Sequence, residues 1–273
     1  MIRLLVLLLP LAVYAKTAVV FDAGAIDFTN SKQKKNGVYI NSYFHLGTKK
    51  ETISFLYSKT DTQTYQPPLP SNLHVNKLFL RYYNKPTPKT QLLFGIATVD
   101  DNLAKEVDDG VLYTIGVKYS NWDYKGYLSD YNRFKVYQSD IFYHFNYPVL
   151  QAVFRAVLGA KYIHLDNKNS NSFSKNAKNS YTTAKIQCKL DYNGFSLLGG
   201  ALFGKRVFSI MKDSYAWQHH AMEFYKTYMG SVATKGDRWH IALHYSYQKA
   251  KELPINNDNV TVENIGVAFM YRF

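Results

Sequence analysis

From Ala18 onward, hydrophobicity in this chain alternates with a period of two, in about fourteen segments, each near the roughly ten residues of a tilted membrane strand. Clusters of Asn, Asp, Gly, Lys, Pro and Ser separate them. The segments are expected to begin at Ala18, Gly37, Thr52, Leu73, Thr90, Val111, Tyr124, Val136, Gln151, Tyr181, Phe195, His219, Arg238 and Thr261. Downstream of Ala15 there is no apolar run approaching the roughly 20 residues that a membrane helix requires. Lipid admits only helices and closed barrels, because every backbone donor and acceptor must be satisfied internally. If the chain lives in a membrane, it does so as a closed sheet.

The connections support closure. The second, fourth and sixth are short, at Gly47–Glu51, Asn84–Lys89 and Asn121–Asp123. So are the eighth, tenth and twelfth, around Asn146–Pro148, Asn193-Gly194 and Thr234–Asp237. Asn-Gly is a strong hairpin signal, since both positions must accept positive φ. Long segments fall between them, at Lys59–Asn72, Val99–Gly110, Asp166–Ser180, Val207–Trp217 and Lys249–Val260; the seventh, near Asn132–Phe134, is short. Tight turns at one end and loops at the other predict an all-β, antiparallel, up-and-down transmembrane barrel. Its even strand count is about fourteen, with 12 or 16 as alternatives, and both termini are on the periplasmic side.

The 24 Tyr and 17 Phe suit such a barrel, whose aromatic residues gather at the membrane interfaces. Trp122 and Trp239 lie beside expected turns and Trp217 beside an expected loop, all positions for interfacial rings. Residues 1–15 read as a cleaved signal peptide: Arg3 supplies charge, Leu4 to Leu11 an apolar stretch, and Val13-Tyr14-Ala15 a cleavage site. The barrel is then expected over 16–273. Cys188 is the only cysteine, so no internal disulfide can form.

The last segment is the most specific. Ile265, Val267, Phe269, Tyr271 and Phe273 share one face, and Asn264, Gly266, Ala268, Met270 and Arg272 share the other. Here the chain resembles Gram-negative outer-membrane proteins. Their insertion signal is a polar residue, a glycine two further on, spaced hydrophobic or aromatic residues and a terminal aromatic. Asn264, Gly266, Phe269, Tyr271 and Phe273 match it position by position. The resemblance implies a bacterial outer-membrane location, delivery by periplasmic chaperones, insertion by the barrel-assembly machinery, and contact with outer-membrane lipid and lipopolysaccharide.

Turning the apolar phase of each strand to lipid leaves the other phase inside. Lys77, Arg81, Lys118, Arg155, Lys161, Lys185, Lys189 and Arg238 are thereby expected to line or rim a lumen, opposed on the strands by Asp140 and Asp191. A passage lined by one sign of charge concentrates the opposite ion. The formal net charge of +13 agrees with an anion-attracting interior, although a generally basic proteome would also produce it. The acidic run containing Asp100, Asp101, Glu106, Asp108 and Asp109 could fold inward as a constriction, bind a divalent cation at the surface, or remain solvated. The seventh and twelfth segments resist phasing, since either phase of the twelfth turns Lys226 or Glu223 to lipid.

No catalytic set emerges. His240 and His244 share a face, but about 13 Å separates positions four residues apart on a strand, too far for one metal ion. His219 and His220 would project to opposite faces of a strand. No nucleophile elbow, phosphate loop or metalloprotease motif is present. Neither metal nor cofactor is expected, and nucleic acid is not an expected partner. In size and strand number the chain resembles the monomeric porin OmpG, and its basic inner wall is similar to that of the longer OprD-type porins. These likenesses imply a non-enzymatic diffusion channel for small hydrophilic solutes with anion preference. A barrel enzyme acting on lipid A or phospholipid, and a closed barrel that binds a partner through its loops, are the alternatives.

Overall fold

A computed structural model describes residues 16–168, 174–213 and 215–273. The expected signal peptide lies outside them. The strands are β1 Lys16–Thr29, β2 Lys34–Gly47, β3 Glu51–Thr64, β4 Leu73–Thr87, β5 Thr90–Asp101, β6 Val111–Tyr119, β7 Trp122–Asp130 and β8 Lys135–Val149. They continue with β9 Ala152–Asp166, β10 Ser180–Tyr192, β11 Phe195–Arg206, β12 Ile210–Met211, β13 Ala216–Trp217, β14 Met222–Lys235, β15 Trp239–Glu252 and β16 Asn257–Arg272. Fourteen of them close into an antiparallel barrel in chain order, while β12 and β13 form a separate two-stranded hairpin. Each expected strand exists. The largest offset is at the last, which begins at Asn257 rather than Thr261.

Closure follows from the pairing of β16 with β1, in which Arg272 faces Ala18 and Phe269 faces Phe21. The final backbone bond runs from Phe273 N–H to Thr17 O, 3.0 Å. Both described ends therefore lie at the end of the barrel with tight turns. At that end Asn193 (φ 42°) and Gly194 (φ 84°) make the two-residue turn from β10 to β11, the left-handed geometry that Asn-Gly tolerates best. At the other end the connection expected over Lys249–Val260 is much shorter, because β15 and β16 extend to Glu252 and from Asn257. Strand pairing satisfies their backbones better than a solvated loop would.

The pleat sorts the side chains. Phe21, Ile40, Phe55, Leu80, Ile96, Ile115, Ile141, Leu158, Ile186, Leu197, Val232, Leu243 and Val267 are all exposed on the outside. A continuous apolar belt of this kind is foreign to soluble surfaces and is what lipid requires. Trp122 and Trp239 are exposed at the turn end, where Trp122 also stacks near Tyr124 and Tyr143. Trp217 departs from its expected interfacial place. It is buried inside the barrel, and its Nε1–H donates to Tyr131 Oη at 2.8 Å.

The two segments that resisted phasing have separate explanations. On β7, Asp123, Lys125, Tyr127 and Ser129 face in while Trp122 and Tyr124 are exposed, so tyrosine occupies both faces and masks the alternation. On β14 the register shifts between Phe224 and Lys226. This bulge buries Glu223 and Phe224 yet leaves Lys226 exposed, which no uninterrupted alternation can do.

Candidate functional site

The interior is built around the connection between β11 and β14, residues 207–221. Its Val207, Phe208, Ile210, Trp217 and Ala221 are buried together with Leu56, Val75, Phe79, Val99, Leu112, Val136 and Ile163, which point inward from β3 to β9. The segment is apolar at intervals, so water is a poor solvent for it; folding it into the lumen removes those side chains from water. The β12–β13 hairpin pairs Ile210 with Trp217 and Met211 with Ala216. Gln218 N–H donates to Ser209 O at 3.0 Å below it.

The basic wall holds this loop by its backbone. Lys77 Nζ donates to Trp217 O at 2.6 Å, and Lys161 Nζ to Ile210 O at 3.0 Å. Gln138 grips Ile210 twice, accepting from its N–H and donating to its carbonyl, each at 2.8 Å. Arg81 donates to the carbonyls of Lys212 and Asp213. Its guanidinium also lies over the Tyr215 ring, 3.1 Å from the centroid. Lys125 bridges Asp123 at 2.7 Å and also reaches Asp213. Lys161 pairs with Asp140, both almost fully buried. At mid-height, then, Arg81, Lys125, Lys161 and Lys185 surround a loop tip that offers carbonyl oxygens and one carboxylate.

Among the sequence-derived residues, Lys77, Arg81 and Lys161 touch the inward loop. Lys185 lies over the Phe142 ring, 5.3 Å from its centroid. Nearer the turn end, Arg155 and Lys189 converge on Asp191, Lys189 at 3.0 Å, and Lys118 occupies an inward position of β6. Arg238 is exposed in the turn before β15. Lys125 was missed because β7 could not be phased. Arg206 was missed because it sits at the edge of an expected loop; it is fully buried, with Nη2 donating to Gln248 Oε1 at 2.9 Å.

The acidic run does not face the basic wall; residues 207–221 do. Asp100 and Asp101 end β5, and the other acids are occupied locally or exposed. Asp108 Oδ1 accepts from Asp101 N–H at 2.8 Å and its Oδ2 from Lys105 at 3.0 Å. Asp109 is exposed and Glu106 half-buried. These carboxylates satisfy their own turn, while Ala104 and Val107 anchor it in the core. Only Asp101 reaches across, with Oδ2 2.9 Å from His219 Nε2. His219 and His220 precede β14, so strand alternation does not separate them, and their ring centroids are 3.9 Å apart. Burial, reinforced by Lys77, pushes the His219 imidazole down to about 4, and burial lowers His220 as well.

The opposite wall, formed by β14 to β16 with β1 and β2, is lined differently. His244 Nε2 meets Asp22 Oδ1 at 2.9 Å, and Asn41 donates to Asp22 Oδ2 at 3.1 Å. Around them lie small inward residues, Gly24, Ser231, Ala242, Gly266 and Ala268.

No family model matches the chain, and no curated protein matches it. Among solved structures, the Acinetobacter baumannii outer membrane protein Omp33 aligns over 95% of this chain and 99% of its own, with 10% identity and a TM-score of 0.52. The fold is that of an outer-membrane β-barrel. Acinetobacter baumannii OccAB1 aligns over 95% and 97% at 9% identity and a TM-score of 0.44. The translocator domain of the Neisseria meningitidis autotransporter NalP covers 94% and 88% at 11% identity and a TM-score of 0.44. With its apolar belt, closed sheet and aromatic turn end, this β-barrel is a protein of the bacterial outer membrane.

Proposed function

We propose that the protein is an outer-membrane diffusion channel for small hydrophilic solutes, narrowed by residues 207–221 and selective for anions. The observation that carries this reading is the arc of Arg81, Lys125 and Lys161 that contacts the loop tip at mid-barrel, with Lys185 beside them over Phe142. Buried cations in that number are costly without water or counter-charge, and Asp123, Asp140 and Asp213 supply three carboxylates for the four. A solute would pass between the loop and the wall of β14 to β1, past the small residues Gly24, Ser231, Ala242, Gly266 and Ala268. Lys118, Arg155 and Lys189 would then meet it toward the periplasmic turns. The resemblance of the last strand to the insertion signal supports delivery through the barrel-assembly machinery, with lipid and lipopolysaccharide around the belt.

Planar-bilayer recording of the refolded protein under a salt gradient tests this. Discrete conductance steps with an anion-selective reversal potential are expected, and Lys118→Glu with Lys185→Glu should move that potential toward cation selectivity. Unchanged selectivity in the double variant would remove the anion claim. A correctly folded but silent barrel would remove the channel itself and favour a closed surface barrel.

A further inference from the structure

Asp101, His219 and His220 bring one carboxylate and two imidazoles to the loop end of the lumen, with one ligand-capable atom from each within 4.8 Å of the others. Asp101 is fully buried and His219 nearly so. His219 Nε2 lies 2.9 Å and His220 Nδ1 3.8 Å from the same oxygen, Asp101 Oδ2. A tetrahedral zinc ion with bonds of about 2.0–2.2 Å holds its ligand atoms roughly 3.3 Å apart, between those two separations. Small side-chain shifts would therefore seat an ion.

The carboxylate is already aimed. Asp101 Oδ1 accepts from the N–H groups of Leu103 and Ala104 at 2.9 and 2.7 Å, which leaves Oδ2 directed at the rings. Among the described residues, Nδ1 of His219 is buried without a hydrogen-bond partner, so protein contacts do not exhaust this ring. His220 is 23% exposed and opens a route of entry.

The donor set selects the kind of ion. Two imidazoles with a single carboxylate lack the roughly six to eight oxygens that calcium takes and suit a metal that binds imidazole nitrogen. We propose that Asp101, His219 and His220 form a zinc-class transition-metal site that ties the inward loop to the end of β5. The site is independent of whether the barrel conducts.

Zinc binding to the purified, detergent-folded full barrel tests it, with bound metal counted after dialysis and cobalt used as a spectroscopic stand-in. One ion per barrel and a cobalt spectrum of tetrahedral type are expected. His219→Gln and His220→Gln should each lower affinity at least about tenfold, since even outer-shell changes cost that much. His74→Gln, which removes the exposed His74–Asp61 pair on the outer surface, should leave binding unchanged. Heat-modifiable gel mobility verifies that each variant is folded. Absence of stoichiometric zinc in the unmodified protein, or its retention by the folded His219→Gln/His220→Gln double variant, would overturn the proposal.

Discussion

The two sides of the lumen are built on opposite principles. From β3 to β10 the inward face is large and apolar toward the loop end and basic at mid-height, and the 207–221 loop docks on both zones. From β14 through β16 to β1 and β2 the inward face carries a smaller apolar cluster, Met222, Phe224, Ala250, Val260 and Val262, and small residues around the His244–Asp22 pair, and the loop meets it at Tyr43 through Tyr215. The first side is a soluble-protein interior placed inside a barrel, whose stability comes from burial and from paired charges. The second pairs Asp22 with His244 and Asn41 along a wall of small residues, over which the Tyr39 ring lies. Their difference shows that a barrel closed by uniform strands can still have a polarised interior, because inward residues are free to vary while outward ones must suit lipid.

Breaking a charge pair on the packed side should have the largest effect. Asp140→Ala would strand Lys161, whose side chain is 3% exposed, and should cost about 3–5 kcal/mol in urea unfolding of the detergent-folded barrel. A cost near that of a surface pair would mean that water reaches this side.

On the second side the expected effect is smaller and depends on backbone proximity. A Cβ at Gly24 would sit 2.2 Å from Ile265 O and 2.5 Å from the Tyr39 hydroxyl. At Gly266 it would meet that hydroxyl at 2.1 Å and the His244 ring at 2.8 Å, both on side chains that can move. Gly24→Ala should therefore destabilise by about 1–3 kcal/mol, and Gly266→Ala by less, in the same unfolding assay. Equal costs would show that the Tyr39 ring, rather than the strand backbone, limits this wall.

The smallest effect tests the loop itself. Trp217→Phe keeps most of the buried ring but deletes the donor to Tyr131, for about 0.5–1.5 kcal/mol. Faster amide exchange confined to residues 207–221 is the expected signature. Exchange spreading into β3 to β9 would mean that loop and wall unfold together.

Much of the fold was legible because lipid imposes one rule on every strand. Apolar residues at alternate positions, turns such as Asn193-Gly194 and the pattern ending at Phe273 all express it locally. The inward loop was harder to read. Residues 207–217 were expected as a long connection at the loop end, although Val207, Phe208, Ile210 and Trp217 were an available sign that water was not their destination. The acidic run drew attention by its charge density, yet Asp101 and Asp108 bond their own turn.

By itself, the sequence determined a closed antiparallel barrel, its strand order and, on strands other than β7 and β14, which phase meets lipid, since these depend on neighbours along the chain and on a solvent that admits no unpaired backbone. Only the tertiary structure decided which loop enters the lumen and which cations hold it. It alone brought Asp101, some 118 positions away in sequence, to His219. Those contacts join residues that share no strand and no hairpin, and periodicity carries no information about partners across a barrel.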